Sequence, residues 1–220
     1  MFIYDLIFII KWYIFGRLKI GRKVRKKKAI IKFQNYINQL PRGALAIDAG
    51  ANVGEFTKIL LDKGFEVHSF EPDPIALSEI SKLKINNNLI LYEKAVGITN
   101  SKKLLFRYRK FDKNNPISSQ GSSLLEYRSG PNMPSVEINV INFIDYLKSL
   151  KVTISLLKMD IEGSEIEILN AMIDEDIHSK VGFIFVETHE RFSHALGLDT
   201  AKLKLRIQKL KINNISLDWV

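Results

Sequence analysis

Four short apolar runs in this chain each end in an acid. Residues 44–47 lead to Asp48, residues 66–70 to Glu71, residues 155–159 to Asp160 and residues 181–186 to Glu187. Between and around them lie segments with apolar residues at helical spacing, at 27–40, 53–63, 74–84, 143–150, 164–172 and 200–210. Apolar strands that alternate with helices predict a parallel sheet covered by helices on both faces. In such a sheet ligands bind beyond the carboxyl ends of the strands, where the four acids are expected.

Further strands are predicted at 89–92 and 215–220. A change of character from 102 to 140 predicts a β-containing insertion, with strands at 104–108 and 136–140 around a polar loop. That loop, 114–135, is rich in Asn, Ser, Gly and Pro (Gly130 and Pro131 among them) and is longer than ordinary connections, which makes it a candidate substrate lid. Two parts are expected: residues 1–40, an apolar and basic extension with its helix, and residues 41–220, the α/β domain.

Charge is concentrated in one place. The net charge is +9, and residues 17–28 hold eight basic side chains and no acid, leaving 9 − 8 = +1 for the rest. A nucleic-acid enzyme more often spreads basic charge along its groove, so no nucleic-acid partner is expected. Residues 2–15 are apolar or aromatic except for Asp5 and Lys11. As a helix they reach about 21 Å, short of the ~30 Å hydrocarbon core. An apolar segment followed by a basic one suits the surface of an anionic membrane. The alternative is a helix docked on the domain with a solvated basic face. The expected location is cytoplasmic and peripheral at the membrane. The absence of cysteine excludes disulfides, thiolate metal sites and a cysteine nucleophile.

The first strand runs into Asp48-Ala49-Gly50-Ala51-Asn52-Val53-Gly54. Glycines there let the backbone turn tightly and approach a ligand closely. Asn52 stands where a dinucleotide fingerprint has a glycine, so a pyrophosphate fits poorly and a smaller ligand with a carboxylate and a ribose fits better. Glu71 stands 71 − 50 = 21 residues after Gly50, placed to accept hydrogen bonds from ribose hydroxyls. The expected cofactor-binding set is Asp48, Gly50, Asn52, Gly54, Glu71 and Asp160. Asp48 serves either the ligand's cationic side or the orientation of the loop.

The glycine turn, the following Phe70-Glu71-Pro72-Asp73-Pro74 and the run Leu157-Lys158-Met159-Asp160-Ile161-Glu162-Gly163-Ser164-Glu165 resemble the class I methyltransferase signature in the form used by the FkbM family. Gly121-Ser122-Ser123 and Phe185-Val186-Glu187-Thr188-His189 are similar to weaker features of that family. The resemblance covers residues 45–190. It implies a Rossmann-like sheet and methyl transfer from S-adenosyl-L-methionine, usually to an oxygen, with acceptors such as sugar hydroxyls on glycans or hydroxyls of small metabolites. One departure is visible: a full class I domain ends in an antiparallel strand pair, and here at most one strand remains. Either the sheet edge is incomplete or residues 102–140 compensate.

A sugar hydroxyl is a weak nucleophile, so a base or a metal should remove its proton. His189, with an ordinary pKa near 6.5, is the base candidate, and Asp160 and Glu187 complete the catalytic set. Asp160, Glu187 and His189 could instead hold a divalent cation, with Mg²⁺ favoured for mostly oxygen ligands. Ser122, Ser123 and Glu162 are the substrate-binding candidates. Glu165 reads as a stabiliser of a helix start. An RNA methyltransferase and a non-catalytic adaptor that retains the fold are the competing functions.

Overall fold

The computed structural model describes residues 3–85, 87–108, 110–126 and 134–219. The predicted ends Phe2 and Val220, and Gly130 and Pro131 of the polar loop, lie outside these. The chain opens with two helices, α1 (Ile3–Arg17) and α2 (Lys19–Ile37). There follow β1 (Leu45–Ala49), α3 (Glu55–Asp62), β2 (Glu66–Phe70), α4 (Pro74–Ile80) and β3 (Leu89–Tyr92). A small β region comprises β4 (Ala95–Gly97), β5 (Ser101–Phe106) and β6 (Ser135–Asn142). The second half runs α5 (Phe143–Ser149), β7 (Ile154–Met159), α6 (Glu165–Asp174), β8 (Val181–Glu187), α7 (His194–Lys209) and β9 (Ile215–Trp219).

The main sheet has the order β3-β2-β1-β7-β8-β9, and every pairing in it is parallel. The strand order reverses between β1 and β7, so a crevice opens there beyond the carboxyl ends. The last strand adds to β8 as a sixth parallel strand, with no antiparallel partner among the described residues. Residues 102–140 do not complete that edge. Their two strands pair antiparallel and join β4 in a separate three-stranded sheet, as the expected insertion.

Alternation along β1 divides the core. Leu45, Ile47 and Ala49 face one cluster, which α5, α6 and α7 cover with Phe143, Leu169 and Leu203. Ala44 and Ala46 face the other, which α2 and α3 cover with Phe33 and Leu60. Phe33 of α2 lies edge-to-face against Phe56, Phe185 and Trp219. Helix α2 therefore supplies part of the second helical layer that a parallel sheet requires.

Helix α2 begins eight residues earlier than the spacing predicts. Lys and Arg are good helix formers, and Arg25 is buried with its guanidinium 2.8 Å from Glu190. Helix α1 lies against α7: Asp5 pairs with Lys209 at 2.6 Å, and Lys204 sits 4.4 Å above the Trp12 ring. The start of α7 is six residues earlier than expected because Ser193 caps it, accepting a hydrogen bond from the Leu196 amide. No helix among the described residues is long and apolar enough to cross a membrane.

Candidate active site

The turn after β1 is held by contacts that leave little freedom. Gly50 has φ +80°, and a Cβ added there would lie 1.8 Å from the Asp160 carbonyl oxygen. The amides of Gly50 and Ala51 both donate to the Phe70 carbonyl. Asn52 also adopts a left-handed backbone, φ 49°, which Asn tolerates better than most side chains. Its amide donates to Glu71 Oε2 at 2.8 Å and its Nδ2 to Ser119 Oγ at 2.9 Å. Asparagine therefore replaces the expected glycine and also ties the turn to β2 and to the polar loop. Gly54, φ +89°, precedes α3, and a Cβ there would meet Ile80 at 2.8 Å.

Asp48 lies beneath the turn, completely buried. It accepts a hydrogen bond from Thr57, and Lys158 Nζ lies 3.2 Å from its other oxygen. The two residues are register partners on β1 and β7. Lys158 also donates to the Gly50 carbonyl at 3.0 Å. Of the two roles open to Asp48, its contacts give the second: it orients the loop through Lys158 and does not line the cavity. Burial alone would lower the lysine pKa, but Asp48 and Asp160 outweigh it and hold Lys158 above its ordinary value. Nothing singled Lys158 out beforehand. The available signal was a lysine inside an otherwise apolar strand, Leu156-Leu157-Lys158-Met159.

Above the turn is a cavity of about 550 Å³, within the range of small-molecule sites. Gly50, Asn52 and Glu71 line one part of it, and Asp160, Glu162 and Glu187 another. Glu71 accepts from the Asn52 and Asp73 amides, one on each oxygen. Burial pushes its pKa up to about 8, against the lowering effect of the Asn52 amide and Lys158. Asp73 is paired with the buried Arg107 at the end of β5, which joins the insertion to the cavity wall. Ile30, Phe33, Gln34 and Ile37 of α2 form another wall, which the sequence reading did not anticipate.

The polar loop reaches the cavity through residues 119–123. The Ser122 hydroxyl is buried at the lining without a hydrogen bond among the described residues. Ser123 is different: it donates to the Glu162 carbonyl at 2.7 Å and accepts from the Leu125 amide. Its contacts hold the strained turn at Glu162, φ 62°, instead of projecting into open space.

His189 is buried, stacked on Phe192, with its Nδ1 2.9 Å from Glu165 Oε1. Its Nε2 lies 3.0 Å from Glu162, 3.7 Å from Asp160 and 4.0 Å from Glu187. Burial would lower its pKa, but Glu165 and Glu162 outweigh burial and push it up to about 10. An imidazole so placed carries its proton at neutral pH. The expectation of a base titrating near 6.5 does not match these surroundings. Asp160 is raised as well: burial pushes it up to about 7 despite Lys158 and His189.

Glu165 does more than begin α6. It is buried and accepts from the Ile161 and Gly163 amides as well as facing His189. Asp160, Glu162 and His189 offer ligand atoms within 4.8 Å of one another, so the closest cation-binding trio contains Glu162 in place of the expected Glu187.

A family model for the methyltransferase FkbM domain matches residues 48–203, from the first acid of the turn into α7. No curated protein and no solved structure matches the chain.

Proposed function

This chain belongs to the FkbM methyltransferase family, and from that premise we propose that it transfers a methyl group from S-adenosylmethionine to an oxygen, with a sugar hydroxyl of a glycan or glycolipid as acceptor. The observation that carries this reading is the make-up of the cavity. The glycine turn and a buried carboxylate line one part, and three further carboxylates gathered around a buried histidine lie at the other.

The residues present fit the donor. The space a Cβ at Gly50 would need is taken by the Asp160 backbone, so the turn stays open only with glycine. Glu71 would accept from the ribose hydroxyls, and Asn52 lines the wall beside it, whereas Gly54 lets the turn pack against Ile80 and Leu83 and does not line the cavity. S-adenosylmethionine supplies the methyl group as an electrophile and leaves as a neutral thioether.

The acceptor hydroxyl gives its proton to Asp160. That carboxylate closes β7 beside the glycine turn, and its Oδ1 makes no hydrogen bond among the described residues. An acid tuned to near 7 both ionises at neutral pH and accepts a proton effectively. His189 is a positioning cation: Glu165 fixes its ring, and its charge keeps Asp160, Glu162 and Glu187 together. Glu162, Glu187 and the Ser122 hydroxyl offer partners to the acceptor's other hydroxyls.

The lining argues against RNA as acceptor. It contains Glu55, Glu71, Asp73, Asp160, Glu162 and Glu187 against only Lys26 and Lys158. A polyanion would meet repulsion there. A retained fold without chemistry is disfavoured by the tuned carboxylates.

A second reading has Mg²⁺ on Asp160, Glu162 and His189, and the 4.8 Å grouping is what favours it. The imidazolium is preferred because it already places positive charge at that point.

Incubation with methyl-labelled S-adenosylmethionine and separated glycolipid, polysaccharide and RNA fractions tests the acceptor. Label in a sugar-containing fraction is expected. Label in RNA alone, or no donor binding by calorimetry, would overturn the reading.

A further inference from the structure

Helix α1 is mostly apolar, yet only one of its faces is covered. Asp5, Trp12 and Tyr13 face Lys209, Lys204 and His194 of α7, Ile9 is buried, and Gly16 lies against Glu190, with its carbonyl accepting from Arg25 of α2. The opposite face carries Ile3, Ile7, Ile10 and Ile14 at i, i+4 and i+3 spacing, flanked by Tyr4, Leu6, Phe15 and Leu18. These side chains are 39–80% exposed. Single apolar residues on a surface are ordinary, but a contiguous stripe of eight is not.

The helix that follows the stripe carries exposed positive charge. Lys23, Lys26, Lys27 and Lys28 of α2 are exposed and form no ion pair among the described residues. Lys11 is the one charged side chain on the apolar face, and a long lysine stem can lift its ammonium to the rim. Asp5, the only acid of the first 28 residues, is turned inwards onto Lys209. Negative charge is thereby withdrawn from an apolar face that exposed lysines follow in the chain.

We propose that α1 and the first half of α2 form a built interfacial anchor that seats this chain on an anionic phospholipid surface, with α1 lying in the plane of the bilayer. The 15-residue helix is too short to span, so it lies flat, and the Asp5–Lys209 ion pair with the Lys204–Trp12 contact fixes it to the catalytic body. The charge complementarity selects lipid over a second copy of the chain, because two copies would oppose lysine to lysine across the joint. The lysines and a wall of the cavity belong to the same helix, so the anchor and the active site are adjoining. This inference does not depend on the methyl-transfer reading, and its test uses no methyl donor as readout.

The test is flotation of the full chain with vesicles of phosphatidylcholine alone and of phosphatidylcholine with phosphatidylglycerol. Binding to the anionic vesicles is expected, weakened by high salt. The triple variant Ile7→Ser, Ile10→Ser, Ile14→Ser alters only exposed side chains and should abolish binding while leaving the thermal transition in place. Lys23→Gln, Lys27→Gln and Lys28→Gln together should weaken anionic-vesicle binding by roughly 100-fold, about five-fold for each charge. Absence of vesicle binding by the parent chain overturns the proposal. So does equal binding by parent and serine variant, or a dimer in solution that the serine substitutions dissociate while neither protein floats.

Discussion

Glu165 and His189 face each other at 2.9 Å with both side chains only 1% exposed, one at the start of α6 and the other just beyond β8. The same carboxylate holds the amides of Ile161 and Gly163, so the turn that presents Asp160 and Glu162 and the ring that faces them share one anchor. Removing that anchor leaves a buried imidazolium and two amides without their partner. Glu165→Ala is expected to cost about 3–5 kcal/mol of stability. Urea unfolding measures it, and a cost below ~1 kcal/mol would show that the pair is not a structural unit. Glu165→Gln keeps the shape, and in it the His189 resonance should titrate at lower pH than in the parent.

The glycine turn makes a harsher prediction. A left-handed backbone alone costs an ordinary residue roughly 1–2 kcal/mol. At Gly50 the added methyl would also sit 1.8 Å from the Asp160 carbonyl, so backbone must move. Gly50→Ala should therefore lose more than that amount and should lose donor binding in calorimetry. At Gly43 the φ is also positive but nothing lies within 4 Å of an added Cβ. Gly43→Ala should cost only the backbone term and leave donor affinity unchanged.

Asp160 supplies a pH prediction for catalysis. Its pKa of about 7 means that the proton-accepting form is gained as pH rises through neutrality. With His189 charged up to about pH 10, the rising limb belongs to the acid and not to the imidazole. The rate with saturating donor should fall about ten-fold for each unit below pH 7. Asp160→Asn should lower kcat by roughly 10²–10⁴. A profile whose rising limb survives in Asp160→Asn would assign the proton transfer elsewhere.

These predictions rest on features that differ in how far the sequence displays them. The parallel sheet and the acids near its strand ends follow from periodicity, because a strand buried on both faces reads as an apolar run and a charge marks where that run closes. Glu71 was legible from its distance to Gly50. The role of Asp48 was not, because its partner Lys158 lies 110 residues away and is brought alongside only by the β1–β7 pairing. Glu165 looked like an ordinary acid at a helix start until β8 carried His189 onto it. The cavity wall on α2 was hidden for the same reason, since residues 1–40 read as an appendage until Phe33 is seen packed on Phe185 and Trp219. Local pattern records which face is buried, whereas these contacts join elements far apart in the chain.

The choice between imidazolium and metal at His189 has a direct test. If the protonated ring supplies the positive charge among Asp160, Glu162 and Glu187, dialysis against EDTA should leave the rate unchanged. Added Mg²⁺ should then have no effect beyond ionic strength. Loss of activity on chelation, restored by Mg²⁺, would transfer the role to a cation on the Asp160–Glu162–His189 trio.

Glu71 links the cavity to stability. Burial pushes its pKa from the ordinary carboxylate value of 4.5 up to about 8 on folding. Between those values the folded chain binds a proton that the unfolded chain has lost, so stability must fall as pH rises across that window. His189 contributes with the opposite starting point. Its raised pKa adds stability below about 6.5 that is lost only as pH climbs towards 10. The two are separated by comparing the parent with Glu71→Gln, which cannot titrate. The ligand-free parent should show a transition temperature that declines from pH 5 to pH 8, and the glutamine variant a distinctly flatter one. Saturating donor should also flatten the parent's decline, because ribose hydroxyls that hydrogen-bond to the carboxylate favour its ionised form. If the two proteins decline in parallel, burial of the Glu71 charge is not what the pH dependence reports.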